Sequence, residues 1–254
     1  MSHIIKNIIF VFIFALCLPG IAHAQFDSDT EYNENEKIGF AFYTLSGMKP
    51  DFFTWAQHTE KYRNAGPTGK IQIANNDAYR LQNGYVNYNI EEDLIKLEFD
   101  NTNIKGEPFY VESRHHDNNT SVFVSLPDYP DGYFPFEVSD KWVALIIKDF
   151  DLLKEIIMDN DEYKKFTKAA GHNHINHSFE KKVNMTLTLK PISVDTAEPM
   201  VLEDMEMWLM LAEIGEMELW YLDRHTGREQ HLWSYNAPWY VAEERQELLD
   251  LYKK

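Results

Sequence analysis

The sequence predicts an α+β fold, an antiparallel sheet built from hairpins with several packing helices round a single core. Three observations predict it. Apolar and polar residues alternate through Ile95, Leu97 and Phe99, and again through Val183, Met185, Leu187 and Leu189, the period-two signature of strands buried on one face. Turn-forming clusters join neighbouring runs, as at Asp223-Arg224-His225-Thr226-Gly227 between Met217–Leu222 and Glu229–Tyr235. The order is helix, strands, helices, strands, helix, without the strand–helix alternation of a parallel sheet.

Taken along the chain, Gln25 to Lys37 is acidic with no apolar period and predicts a disordered leader, leaving 38–254 as one α+β domain. Asp51 to Ala65 predicts a helix with Phe52, Trp55, Ala56, Thr59 and Tyr62 along one face and Gly66-Pro67 as its stop. A second helical stretch is expected at Ile73–Gln82, ended by Asn83-Gly84. Phe109–Ser113 and Ser121–Leu126 read as a hairpin whose loop holds His115-His116-Asp117. Tyr133–Val138 is extended. Trp142 to Ile157 fits a helical stripe capped by Ser139-Asp140, and a further short helix is expected from Asp161 to Phe166 with Gly171 as its end. Pro191 is expected to close the strand that begins near Val183. Met205–Ile214 is apolar on both faces, as a covered central strand would be. Asn236 and Pro238 open a last helix that carries Glu243 and Glu244 early and Lys253 and Lys254 at its end.

The first 24 residues carry the parts of a cleavable signal peptide: Lys6, the apolar run Ile8 to Leu18, and Ala22-His23-Ala24 before the cut. That run is 11 residues long, against about 20 for a membrane-spanning helix. The expected product is therefore a soluble periplasmic or secreted protein, cleaved after Ala24 and without a stable membrane anchor. Cys17 follows Leu16, where acylation needs a small residue, so a lipid anchor is not expected.

Cys17 is the one cysteine of the chain. A mature chain without it has no disulfide, thiolate nucleophile or cysteine metal site. The formal net charge is −17, and losing Lys6 makes it about −18, which repels nucleic acid and anionic lipid. A partner in the envelope or outside the cell is the expectation.

Motifs are few. G-x-S-x-G, H-E-x-x-H and the EF-hand loop are absent, and no catalytic residues are identified. Gly66-Pro67-Thr68-Gly69-Lys70 has Asn64 and Ile71 where a phosphate loop needs Gly and Ser or Thr. The densest cluster is Gly171-His172-Asn173-His174-Ile175-Asn176-His177. On an extended segment His172 and His174 share a face, and a turn could bring His177 round to complete three nitrogen ligands for zinc or copper. The plainer reading is a solvated polar loop. Met200, Met205, Met207, Met210 and Met217 sit among apolar residues and read as core filler. The leading expectation is an exported, non-catalytic binding or structural protein of the envelope. A histidine-based metal binder, and a hydrolase whose site is assembled from distant residues, are the alternatives.

Overall fold

The computed structural model of the chain describes residues 32–99, 110–116, 119–125, 132–148, 150–173, 178–179 and 182–241. Its first element, α1 (Glu34–Ser46), starts on a reciprocal cap. The Asn33 side chain accepts from the Glu36 amide, and the Glu36 carboxylate accepts from the Asn33 amide. Glu34 to Lys37, at the end of the stretch read as leader, are thus the first turn of a helix. Residues 38–43 of α1 are all buried, as in a helix surrounded by other elements.

The helix expected over Asp51–Ala65 is two helices, α2 (Phe52–Gln57) and α3 (Glu60–Asn64). The break falls at Thr59, whose hydroxyl accepts from the Tyr62 amide and caps α3. Gly66-Pro67 starts a helix where a stop was expected. Gly66 is the N-cap of α4 (Pro67–Asn87) and Pro67 takes its first position, where an amide hydrogen has no helical partner to lose. The helix also runs through Asn83-Gly84. A Cβ on Gly84 would lie 2.6 Å from ring carbons of Phe40 and Tyr32, so this glycine lets α4 approach α1.

Strands dominate the rest: β1 (Ile95–Phe99), β2 (Tyr110–His116), β3 (Asn119–Ser125), β4 (Tyr133–Val138), β5 (Lys141–Ile147), then α5 (Asp151–Lys154), β6 (Glu155–Asp159), α6 (Asn160–Ala170), β7 (His172–Asn173), β8 (Ser178–Phe179), β9 (Asn184–Val194), β10 (Met200–Leu202), β11 (Met205–Leu222) and β12 (Glu229–Asn236). Helical backbone resumes at 238–241. The helical stripe expected over Trp142–Ile157 is instead β5, one short helical turn and β6. Its apolar run is continuous because Val143, Leu145 and Ile147 face the main core while Ala144 faces a smaller cluster on the other side.

The main sheet has seven strands, with β1-β9-β11-β5-β4 as its path and β10 and β12 also paired to β11. The purely antiparallel sheet expected from the sequence is overturned here, because β5 and β11 run parallel, Met207 to Ala212 beside Trp142 to Ile147. A parallel pair needs a long crossover, and everything between Ile147 and Met205 provides it. Few helices pack on this mixed sheet. β11 is its spine, with β10 and β9 along one edge and β5 and β12 along the other. Register shifts at Leu211/Ala212, Ile214/Glu216 and Leu219/Trp220 bend it. The sheet curls into a half-barrel, and α1 touches β1, β9 and β4 across the curl. Most of the buried apolar side chains form one cluster round α1. A smaller one, Tyr133, Ala144 and Met207, lies on the opposite face of the sheet.

β9 continues through Pro191, and α6 begins earlier than expected, capped by Asp159 and closed by Gly171 in the left-handed region. β2 and β3 hold pairing out to His116 and Asn119 and, with β6, make a separate three-stranded sheet. Among the described residues no helix is long and apolar enough to cross a membrane.

Candidate functional site

α2 and α4 together build the most informative surface of the molecule. Asp51 fixes the start of α2 by accepting from the amides of Phe53 and Thr54 and from the Thr54 hydroxyl. Those bonds hold its carboxyl below the usual range. α4 is locked from beneath. Its Arg80 forks onto the buried Glu36 carboxylate of α1, Nη1 to Oε2 at 3.0 Å with Nη2 on Oε1 as the second prong. Its buried Asp77 accepts from Lys61 of α3 at 2.9 Å. Lys70 stands over the Tyr62 ring, 5.0 Å from its centre.

Lys70, Asp77 and Arg80 are the only charged residues in the 21 residues of α4. All three are engaged with neighbouring helices. The solvent face is then uncharged: Ile71, Asn75, Tyr79, Gln82 and Val86 follow one another at steps of four, four, three and four, one stripe of a helix. Ile71 and Val86 are each 72% exposed and Tyr79 52%, and Phe53 of α2 beside them is 49% exposed. These are four of the ten large hydrophobics that stand exposed among the described residues. Between α2 and α4 lies an open cleft of about 630 Å³, whose lining includes Lys49, Asp51, Phe53, Asn75, Ala78, Tyr79 and Gln82. In a chain that is 26% charged, an uncharged face with an aromatic at its centre is the composition of an interaction surface.

A second cluster joins residues far apart in sequence. His58 at the end of α2 places Nδ1 3.1 Å from Oε1 of Glu137 on β4, and Arg63 of α3 places Nη1 3.0 Å from Oε2. Partial burial works to raise the Glu137 pKa, and the hydrogen bonds from His58 and Arg63 outweigh it, so the carboxyl sits below its ordinary value. Nearby Tyr43 of α1 is pushed up to about 12 by burial. A histidine on a carboxylate is half of a catalytic arrangement. Among the described residues no hydroxyl or thiol lies within hydrogen-bond reach of His58, and Arg63 occupies the other carboxylate oxygen. The cluster ties α2 and α3 to the β4 edge.

Of the histidines read as metal ligands, the backbone of His172 pairs with Phe179 between β7 and β8. His174 and His177 lie outside the described residues. No group of three or more metal-ligating side chains occurs among the described residues. Glu203 and Asp204, adjacent carboxylates, form the tight turn between β10 and β11. Met207, Met210 and Met217 are core residues, and Met200 is exposed. Tyr133 is buried, and Trp239 packs with Tyr240 over Gly215.

Sequence reasoning missed the α4 surface, although its signal was present. Between Pro67 and Asn87 the chain carries three charges where its average would put five or six. Comparison with protein-family models, with curated proteins and with solved structures finds no match.

Proposed function

We propose that the protein is exported to the periplasm or the medium and acts there as a non-catalytic binding or structural protein, with the solvent face of α4 and the adjoining cleft as its binding surface. One observation supports this above the others: every charge on α4 is drawn inward, leaving Ile71, Tyr79 and Val86 exposed in an otherwise acidic molecule. Large exposed apolar side chains grouped on one rigid element are costly to solubility and are kept where they contact a partner.

The surface is tested by placing a photo-crosslinking side chain at Ile71 or Gln82 in cells, with Glu229 on β12 as an exposed control. Adducts from the two α4 positions and none from Glu229 are expected. Absence of adducts from α4 would overturn the reading. Export is tested separately by mass spectrometry of the protein from the native cells. A mature N-terminus at Gln25 is expected, and an intact or acylated Cys17 would count against it.

A further inference from the structure

The stripe on α4 has an internal symmetry. Read from either end it runs β-branched aliphatic, amide, centre, amide, β-branched aliphatic: Ile71, Asn75, then Ala78 and Tyr79, then Gln82 and Val86. The midpoint falls between Ala78 and Tyr79. We propose that the occupant of this surface is a second copy of the chain, bound through an antiparallel α4–α4 contact on a two-fold axis that passes between Ala78 and Tyr79. The proposal rests on the reading of α4 as the binding surface and names its partner.

Three observations carry it. A two-fold contact needs a patch complementary to itself, so that residue i meets residue j and j meets i. In this register Ile71 meets Val86 of the second copy and Asn75 meets its Gln82, apolar on apolar and amide on amide, at both ends at once. At the centre each Tyr79 stands over the small Ala78 of the second copy. The cleft beside Ala78 gives that ring a seat, since about 630 Å³ lined by Phe53, Asn75, Ala78 and Gln82 is ample for a phenol side chain. The third observation is charge. Two molecules of formal charge −17 repel over most of their surface. Residues 47–88, which contain α2, α3 and α4, carry five cationic side chains against three carboxylates, and with Glu36 and Glu137, which pair with Arg80 and Arg63, that side of the molecule is neutral. This is the side on which two copies approach with least repulsion.

The size of the contact sets its strength. A helix of 21 residues is about 31 Å long. Even with Phe53 added, the strip is narrower than the roughly 800 Å² per partner of a standard stable interface. The dimer is therefore a weak one, in exchange with monomer and favoured by high protein concentration.

Sedimentation of the purified protein from low micromolar to millimolar concentration is the first measurement, with a doubling of the average mass as the expected result. Tyr79→Arg, with circular dichroism as the check that the fold is kept, places like charges at the axis and is expected to abolish the doubling. The register is read with single-thiol variants in a Cys17→Ser background. Asn75→Cys mixed with Gln82→Cys is expected to crosslink to each other several times faster than either does to itself. A wild-type chain that stays monomeric throughout, a Tyr79→Arg variant that still dimerises, or equal crosslinking in all combinations overturns the proposal. If the purified chain is monomeric while α4 still gives adducts in cells, the second copy fails as the occupant and the binding surface stands. If both fail, both readings are lost.

Discussion

Glu36 of α1 and Arg80 of α4, 44 residues apart, meet in a two-pronged ion pair in which the carboxylate is almost wholly buried. Glu36 also caps its own helix through the Asn33 amide. Removing one partner leaves the other charge buried without compensation, a loss of about 3–5 kcal/mol. Arg80→Met is expected to fall in that range by urea unfolding. The double variant Glu36→Gln/Arg80→Met is expected to be more stable than Arg80→Met alone, because glutamine keeps a cap acceptor and carries no charge. Equal or greater loss in the double variant would show that the pair is not what holds α4 to α1.

Gly84 supplies the close approach in the same contact. Gly84→Ala drives a methyl group into the Phe40 and Tyr32 rings at 2.6 Å, and overpacking of this kind costs about 1–3 kcal/mol. An isolated helix would gain from the same change. A lowered thermal midpoint for Gly84→Ala, against little change for Gly69→Ala where the nearest atoms are 3.9 Å away, separates packing from propensity.

The β10–β11 turn offers a gain in stability. Glu203 and Asp204 both take positive φ, 48° and 65°, between the paired residues Leu202 and Met205. Two such residues make the turn for which Asn-Gly is preferred, and an L-residue in the left-handed region costs about 1–2 kcal/mol. Glu203→Asn/Asp204→Gly is expected to raise the midpoint of denaturant unfolding. An unchanged or lowered midpoint would mean that the two carboxylates have a role that the turn geometry does not express.

Glu137 gives the molecule an acid-sensitive tie. Its folded pKa lies below the ordinary value of 4.5, so the unfolded chain takes up the proton first as the pH drops. The stabilisation is present in full above the ordinary value and disappears as the pH falls through the depressed one. Glu137→Gln is expected to be less stable than wild type at neutral pH and to converge with it in strong acid. A stability difference that does not depend on pH over that window would refute the assignment.

How much of this could be read in the sequence depended on local pattern. β1 and the first half of β9 were legible because each is buried on one face only, which leaves a clean alternation. β5 was not, because both of its faces carry apolar side chains, Trp142, Ala144 and Ile146 on one and Val143, Leu145 and Ile147 on the other, and a continuous apolar run has no period that separates strand from helix. The parallel pairing of β5 with β11 left no local trace, since two runs more than fifty residues apart carry no mark of relative direction. Glu36 and Arg80 likewise look like ordinary surface charges until α1 and α4 are brought together. The uncharged face of α4 was legible in principle, but only to a count of missing charges.

The position of α1 inside the curled sheet governs the order in which the molecule can be built. α1 is the first described helix, yet its walls include β9, most of the chain away, and β11 must be in place between β9 and β5 before the curl exists. As the chain emerges from its N-terminus, Trp55 and Tyr88 can cover part of the apolar stretch 38–43, but its sheet side stays open until β9 and β11 arrive. High contact order of this kind makes folding slow and leaves a sticky helix waiting. The native state therefore cannot be approached in stages from the N-terminus; it closes only when the last third of the chain is present.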